Sequence, residues 1–544
     1  MPPFGLGDTP CLLARRLDSN DAELLSLLEL LLNAHEIDRL VVDVPTQWPA
    51  LLRQLLLPVV MDALGRPADR AQWAKRFEAG RFSDTERELL RSYLEEHRER
   101  FDLFSEQAPF AQAAGLRTTK NETKGAALLV ATAAFGNNVP LFDNRTEANP
   151  LAMTPDQGLR WLLHAHCWDT AAIKTGAVGD PAVKAGKTTG NPTGPLGSLG
   201  VVVPRGQTLY ETIMLNLPIG VQPGDDRPRW RRPQPDGSSW NTRHASGLLD
   251  LWTWQSRRIR LIPEETPAGI RVSQVVLCAG DRLLEIPEWE PHTTWAFQKV
   301  PKSRTGTIRR PRRHVQGKAL WRGLDALLTS EPQSRDGAVE TSVLLMQLAG
   351  LQAEDHLDYD YPLQLDAVGI AYGNQSAVIE DVMSDSIPLP VAALRADEDL
   401  YTALLEMTEQ AEQLARAVNN LSADLRRAMG AEPIPWDKGQ RPGEFVLHAL
   451  DPLVRRLLTG MRKATRDPDL IEQGRTAWEQ LAKKHTQEVA DTVMDGATPG
   501  AFIGRTVKKE NRELTFRSST AQKNFIIQLG KILPRAAQER RKSA

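Results

Sequence analysis

The residues that offer chemistry are few. Gly186-Lys187-Thr188 matches the end of a phosphate-binding G-x-x-x-x-G-K-[ST] loop, but Pro181 stands where its first glycine belongs. No predicted strand leads into it, and "TGNPTGP" cannot start the helix that such a loop uses to aim amides at phosphate. A glycine-rich loop carrying Lys184 and Lys187 still suits a nucleic-acid backbone. His164 and His166 lie two apart on a predicted helix, on different faces, a poor arrangement for sharing a metal. Asp355, His356, Asp358 and Asp360 follow no strong cation-site spacing and read as an acidic loop. No H-E-x-x-H, no G-x-S-x-G and no paired nucleophile and base is found. The expectation is a protein with no catalytic residues, no metal and no cofactor. In "GIAYGNQSAVIED", Gly373-Asn374 is turn chemistry for positive φ. Gln375 at the turn's tip presents a flat amide, with donors and an acceptor but no short-range turn bond to make.

A chain of 544 residues is too long for one compact core. The three cysteines, Cys11, Cys167 and Cys278, form no C-x-x-C pair, which argues against a thiolate zinc site and a disulfide framework. They fit a reducing cytoplasm. No export signal is expected from "MPPFGLGDTPCLLARRL", which has no basic stretch followed by an apolar core, and no membrane span from the apolar stretch 24–32, which Ser26 and Glu29 break far short of the length needed.

Residues 20–115 read as helices. Ser83 to Glu86 spells a capping box, and so does Thr154 to Gln157, which opens a helix expected to stop at Gly176. Two loops follow from composition, 117–150 and the seven-glycine stretch 176–200. From 201 to about 385 the chain reads mostly as strands and turns, including "LLDLWTWQSRRIRLIPE" and "IRVSQVVLCAG". Leu400, Leu404, Met407, Ala411, Leu414, Val418, Leu421 and Leu425 then trace an a/d seam. Helical stretches near 443–463, 467–494 and 517–541 complete an expected bundle. The fold class is α+β: a large mixed domain, 1–388, with long functional loops, followed by a C-terminal four-helix bundle, 389–544.

The net charge of −2 hides an uneven distribution. Residues 299–322 carry nine Lys or Arg and no acid, and 505–544 carry eleven basic against three acidic residues. With "PRWRRP" these are the footprint of a polyanion binder.

Several stretches, in order, resemble the CasA family, large subunits of the type I-E CRISPR surveillance complex (Cascade). They are "FDLFSEQAPFAQ", "GNPTGPLGSLG", "LLDLWTWQSRRIRL", "EPHTTW", "ALWRGLDALL" and "GNQSAVIE", spread over residues 101–380. The resemblance implies a non-catalytic subunit that finds a protospacer-adjacent motif (PAM) in double-stranded DNA. It further implies opening of the neighbouring base pair to start an R-loop, and help in recruiting a helicase-nuclease. Guide RNA and the other Cascade subunits are the implied partners; no membrane is. Base pairing reads the long sequence in such systems, and protein reads the short motif. Gln375, with Asn374, matches the family's DNA wedge. The PAM-reading loop falls within 176–186, where Gly179, Ala182, Lys184 and Gly186 are the implied contacts and Ala182 stands where a relative has glycine. The family's PAM lysine lies just upstream of "EPHTTW", where this chain offers Arg282. Phe142 and Asn144 are the implied contacts to guide RNA or a neighbouring subunit, Phe142 being equally readable as local core. Lys299, Lys302, Arg304, Arg309, Arg310, Arg312 and Arg313 are the implied backbone contacts, which position DNA without reading it. The alternative is an RNA-binding scaffold subunit of another ribonucleoprotein.

Overall fold

The computed structural model describes residues 3–133, 150–233, 237–300, 306–329, 337–395, 398–435, 441–464, 467–509 and 512–537. The chain forms two compact units. The first comprises Met1–Lys318, Glu331–Leu357 and Leu363–Ser386; the second comprises Ala319–Ser330, Asp358–Pro362 and Ile387–Ala544.

The first unit opens on an antiparallel sheet of Leu12–Arg16, Ala22–Leu25 and Ile37–Leu40, with Leu12–Arg16 in the middle. This corrects the all-helical expectation for 20–115. The apolar run 24–32 is divided by Ser26, whose hydroxyl accepts from Glu29 N–H at 3.2 Å while the Glu29 carboxylate accepts from Ser26 N–H at 2.9 Å. That capping box starts the helix Leu27–Leu32 and leaves Leu25 as the buried end of a strand. The capping box at Ser83 opens the helix Asp84–Glu96.

The central hairpin pairs Arg257–Thr266 with Gly269–Ala279 along its length. The other edge of Gly269–Ala279 takes Lys124–Gly125 and Lys174–Thr175, and Lys174–Thr175 pairs in turn with Lys187–Thr188. The expected strand at 248–264 begins only at Arg257. Leu248–Trp252 is a helix, because the Asp226 carboxylate accepts from Leu249 and Asp250 N–H, each at 3.0 Å, and caps it. A further sheet sets Val201–Arg205 beside Gln364–Gly373, which neighbours Val378–Pro388.

The helix Pro155–Trp168 ends eight residues before the expected stop at Gly176. Asp169 caps it, and residues 174–175 are already strand. Its two histidines are core residues. His164 Nε2 meets the Thr46 hydroxyl at 3.0 Å, and His166 Nε2 meets the Ala111 carbonyl at 2.8 Å. Burial pulls their pKa values down to about 3 and about 4.

In the second unit the long helices are Asp399–Ala428, Pro442–Met461, Pro468–Asp495 and Ser518–Ile532. Every residue of the predicted seam is buried on the first of them. The sequence reading missed an antiparallel strand pair, Arg505–Lys509 with Arg512–Phe516, ahead of the last helix. It also missed that Ala319–Ser330 belongs here. Trp321 Nε1 donates to Asp451 at 2.8 Å and Arg322 pairs with Glu412 at 2.7 Å. No helix among the described residues is long and apolar enough to cross a membrane.

Candidate nucleic-acid interface

The strands Gln364–Gly373 and Val378–Pro388 carry the Gln375 turn between them. Asn374 and Gln375 are exposed. Their φ angles are 42° and 58°, and Ser376 follows at 61°. Of the expected pair Gly373-Asn374, Asn374 has positive φ and Gly373 does not; the left-handed run continues instead through Gln375 and Ser376, so three side-chain-bearing residues adopt it in a row. Left-handed backbone costs roughly 1–2 kcal/mol per residue when a Cβ is present. Strain of this kind persists only where surrounding contacts hold it.

Those contacts are visible. Ala171 N–H donates to the Ser376 carbonyl at 2.8 Å, and Ala377 N–H closes the turn on the Asn374 carbonyl at 3.1 Å. Tyr372 Oη donates to the Trp168 carbonyl at 2.6 Å. Burial raises the Tyr372 phenol far above the ordinary tyrosine value, so it stays a donor. Gly197 lets it pass: a Cβ there would sit 2.7 Å from Tyr372 Oη and 2.9 Å from Thr193. This accounts for one glycine of "GNPTGPLGSLG".

Trp168 and Ala171 flank a buried charge cluster. Asp169 Oδ2 accepts from Arg257 Nε at 2.5 Å and from Lys174 Nζ at 2.7 Å. Arg257 also donates to the carbonyls of Thr170 at 2.9 Å and Pro192 at 2.7 Å. Lys174 and Arg257 hold the Asp169 carboxyl down at about 2 against the burial that would raise it. Burial pulls the Lys174 ammonium below its ordinary value. A cleft of about 240 Å³ lies against this segment, lined by Lys124, Trp168, Ile173 and Lys174 and by the hairpin residues 377–379.

The glycine loop is itself a hairpin rooted in Lys174–Thr175 and Lys187–Thr188. Gly176 N–H donates to the Gly186 carbonyl at 2.9 Å, and Lys184 and Lys187 exchange backbone bonds of 2.9 and 3.1 Å around a turn at Ala185-Gly186. Gly179, Ala182, Lys184 and Lys187 are exposed; Gly186 is half-buried. Asp180 pins the loop from inside: it pairs with Arg258 and accepts from Trp240 Nε1 at 3.0 Å. Because Lys187–Thr188 is strand and no α-helix follows before Leu209, the nucleotide-loop reading is set aside.

Arg282 lies flat on Trp240, its guanidinium 4.3 Å from the ring, and donates to the Thr189 carbonyl at 2.8 Å. A role as an outstretched finger requires it to leave both. Arg309 is committed as well, paired with Glu340 at 2.6 Å and stacked 3.9 Å over Trp295. Arg310 and Arg313 are exposed, Arg312 half-buried and Lys299 exposed. His314 ties this run to the sheet by meeting the Val201 carbonyl at 3.0 Å, and the Arg313 charge is felt at Tyr372. Lys302, Arg304, Phe142 and Asn144 lie outside the described residues.

Sequence reasoning overlooked Asp169, Lys174, Arg257, Arg258 and Tyr372. One signal was present: Arg257-Arg258 are consecutive charges at the head of an apolar strand, and charges are rarely buried unless paired. "EPHTTW" is also structural. Glu290 binds Arg53 at 2.5 and 2.8 Å, and His292 Nε2 meets Asn216 at 3.0 Å, all inside the core. Among the described residues no group of three or more His, Cys, Asp or Glu side chains is placed to hold a metal. Burial pushes the Cys167 and Cys278 thiols up to about 12 and about 11.

The mixed unit followed by a helix bundle is shared with solved structures of Cse1 proteins. Cse1 of Thermobifida fusca superposes with a TM-score of 0.83 at 31% identity, covering 98% of this chain and 99% of that one. Cse1 of Acidimicrobium ferrooxidans gives 0.80 at 28% identity, covering 98% and 99%. A chain of a CRISPR RNA-guided surveillance complex shares the fold at 19% identity, with a TM-score of 0.72 over 98% of this chain and all of that one. CasA/Cse1 of Thermus thermophilus is 28% identical over 414 residues, 74% of either chain. Residues 6–489 match the family described as CRISPR-associated protein Cse1, and the chain belongs to that family.

Proposed function

We propose that this chain is the large subunit of an RNA-guided surveillance complex and that it finds and opens duplex DNA for that complex. The observation that carries the reading is the exposed amide of Gln375, held at positive φ on a hairpin clipped to its neighbours at Tyr372 and Ser376. A stiff tip of this kind suits insertion beside a base pair. Its amide replaces part of the lost pairing, and unstacking one step costs on the order of a few kcal/mol. The glycine hairpin, with little side chain at Gly179 and Ala182, suits close approach to the narrow minor groove, whose degenerate pattern fits a sensor of several short motifs. Lys184, Lys187, Arg310 and Arg313 supply phosphate contacts that hold the duplex still. Family membership and the shared fold of a surveillance-complex chain support guide RNA and sibling subunits as partners. Recruitment of a helicase-nuclease belongs to the same proposal, as does the absence of catalysis in this chain. A cytoplasmic setting is part of it too.

The test is a PAM-library binding assay on the assembled complex, wild type against Gln375→Ala. Motif-dependent binding with strand opening weakened more than first contact is the expected result. RNA binding indifferent to any duplex motif would instead favour a scaffold subunit of another ribonucleoprotein.

A further inference from the structure

Arg257 and Arg258 are neighbours on one strand, so their side chains leave it on opposite faces. Each is buried, and each is spent on a different surface element. Arg257 grips Asp169 and the carbonyls of Thr170 and Pro192, and Gly194 N–H donates to the Asp169 carbonyl at 2.9 Å. The segment so fixed carries the Trp168 carbonyl and the Ala171 N–H that hold the Gln375 hairpin. Arg258 grips Asp180 in the middle of the glycine hairpin and donates to the carbonyls of Gly237 and Ala279, each at 2.6 Å. Lys174 closes the circuit: its ammonium is on Asp169, and its backbone is the first strand of the glycine hairpin. Buried ion pairs are poor sources of stability, and apolar replacements often do as well.

We propose that Arg257, Arg258, Lys174 and Tyr372 are positioning residues that fix the glycine hairpin and Gln375 to one strand, so that seating a duplex on the first sets the second at the adjoining base step. The inference rests on the DNA-opening reading above. A wedge must sit within a fraction of an ångström of its working place to act, which requires support of this kind.

The experiment uses the assembled complex and a duplex with a fluorescent base analogue at the first pair beside the motif. Tyr372→Phe removes one hydrogen bond and keeps the ring. It is expected to slow opening about tenfold while duplex binding stays within about twofold. A duplex already unpaired at that step should restore complex formation to the wild-type rate, an effect that general damage to the fold would not produce. Lys174→Met, which leaves Asp169 on Arg257 but loosens the root of the glycine hairpin, should also slow opening and be rescued by the pre-opened duplex. Gln375→Ala is run in parallel. Should it open DNA like wild type, the wedge reading fails and this inference with it. Should it be slow while Tyr372→Phe and Lys174→Met match wild type, the positioning role alone is overturned. Defects that persist on the pre-opened duplex overturn it equally.

Discussion

Gln375 was conspicuous in the sequence because an amide had no local reason to sit at a turn. Its backbone conformation was legible only in part: positive φ at Asn374 was expected and holds, while Gln375 and Ser376 take it in place of Gly373. At φ 58° the position tolerates glycine and resists a β-branched side chain. Gln375→Val should therefore lower stability by on the order of 1 kcal/mol while Gln375→Gly leaves it nearly unchanged, as denaturant melts would record. The buried histidines make a second residue-scale prediction. His164 and His166 are kept neutral in the fold, with values near 3 and 4 against an ordinary 6.5. Between pH 6.5 and about 4 the unfolded chain binds protons that the folded chain refuses, so stability falls as pH drops. The slope approaches about 1.4 kcal/mol per pH unit for each histidine. Thermal melts from pH 7 to pH 5 should show the decline, and His164→Gln should make it shallower by one histidine's share. Asp169 behaves differently: its depressed value keeps its contribution whole above about pH 4, to be lost only as pH falls toward 2.

At the scale of elements, periodicity was legible where it ran long. The seam from Leu400 to Leu425 spans one helix and is wholly buried, because heptad spacing leaves few other solutions. Leu414 is fully buried, so Leu414→Ala should cost about 2–5 kcal/mol by denaturation. Short elements were not legible. Leu248–Trp252 alternates like a strand, yet a carboxylate from Asp226 caps it as a helix, and no local pattern announces a partner more than twenty residues away. The helix ending at Trp168 stops early for the same kind of reason: Asp169 is claimed by Arg257, 88 positions along the chain. The motifs that carried the family resemblance largely mark keystones of this sort, Glu290 with Arg53 among them. Arg53→Met would strand a buried carboxylate, and its expected cost of roughly 3–5 kcal/mol exceeds that of losing any exposed arginine of the basic run.

For the molecule as a whole, net charge said little and its distribution said more. The described arginines of the basic run 299–322 are not equally available. Arg309 is locked on Trp295 and Glu340, and Arg322 on Glu412, while Arg310 and Arg313 face outward. Arg310→Ala or Arg313→Ala should weaken duplex binding by the assembled complex uniformly across sequences and reduce the slope of log affinity against log salt by about one each. Arg309→Ala should instead show up first as a lower melting temperature.

Trp321 and Arg322 reach Asp451 and Glu412 from a stretch of chain encoded well before the bundle. A gene truncated to begin at Ile387 would yield helices missing that inserted tryptophan, with Asp451 deprived of its indole partner. Anyone grafting a bundle from one relative onto another, or expressing it alone, would have to transplant residues 319–330 and 358–362 alongside, since heredity here deals the second unit in separate pieces.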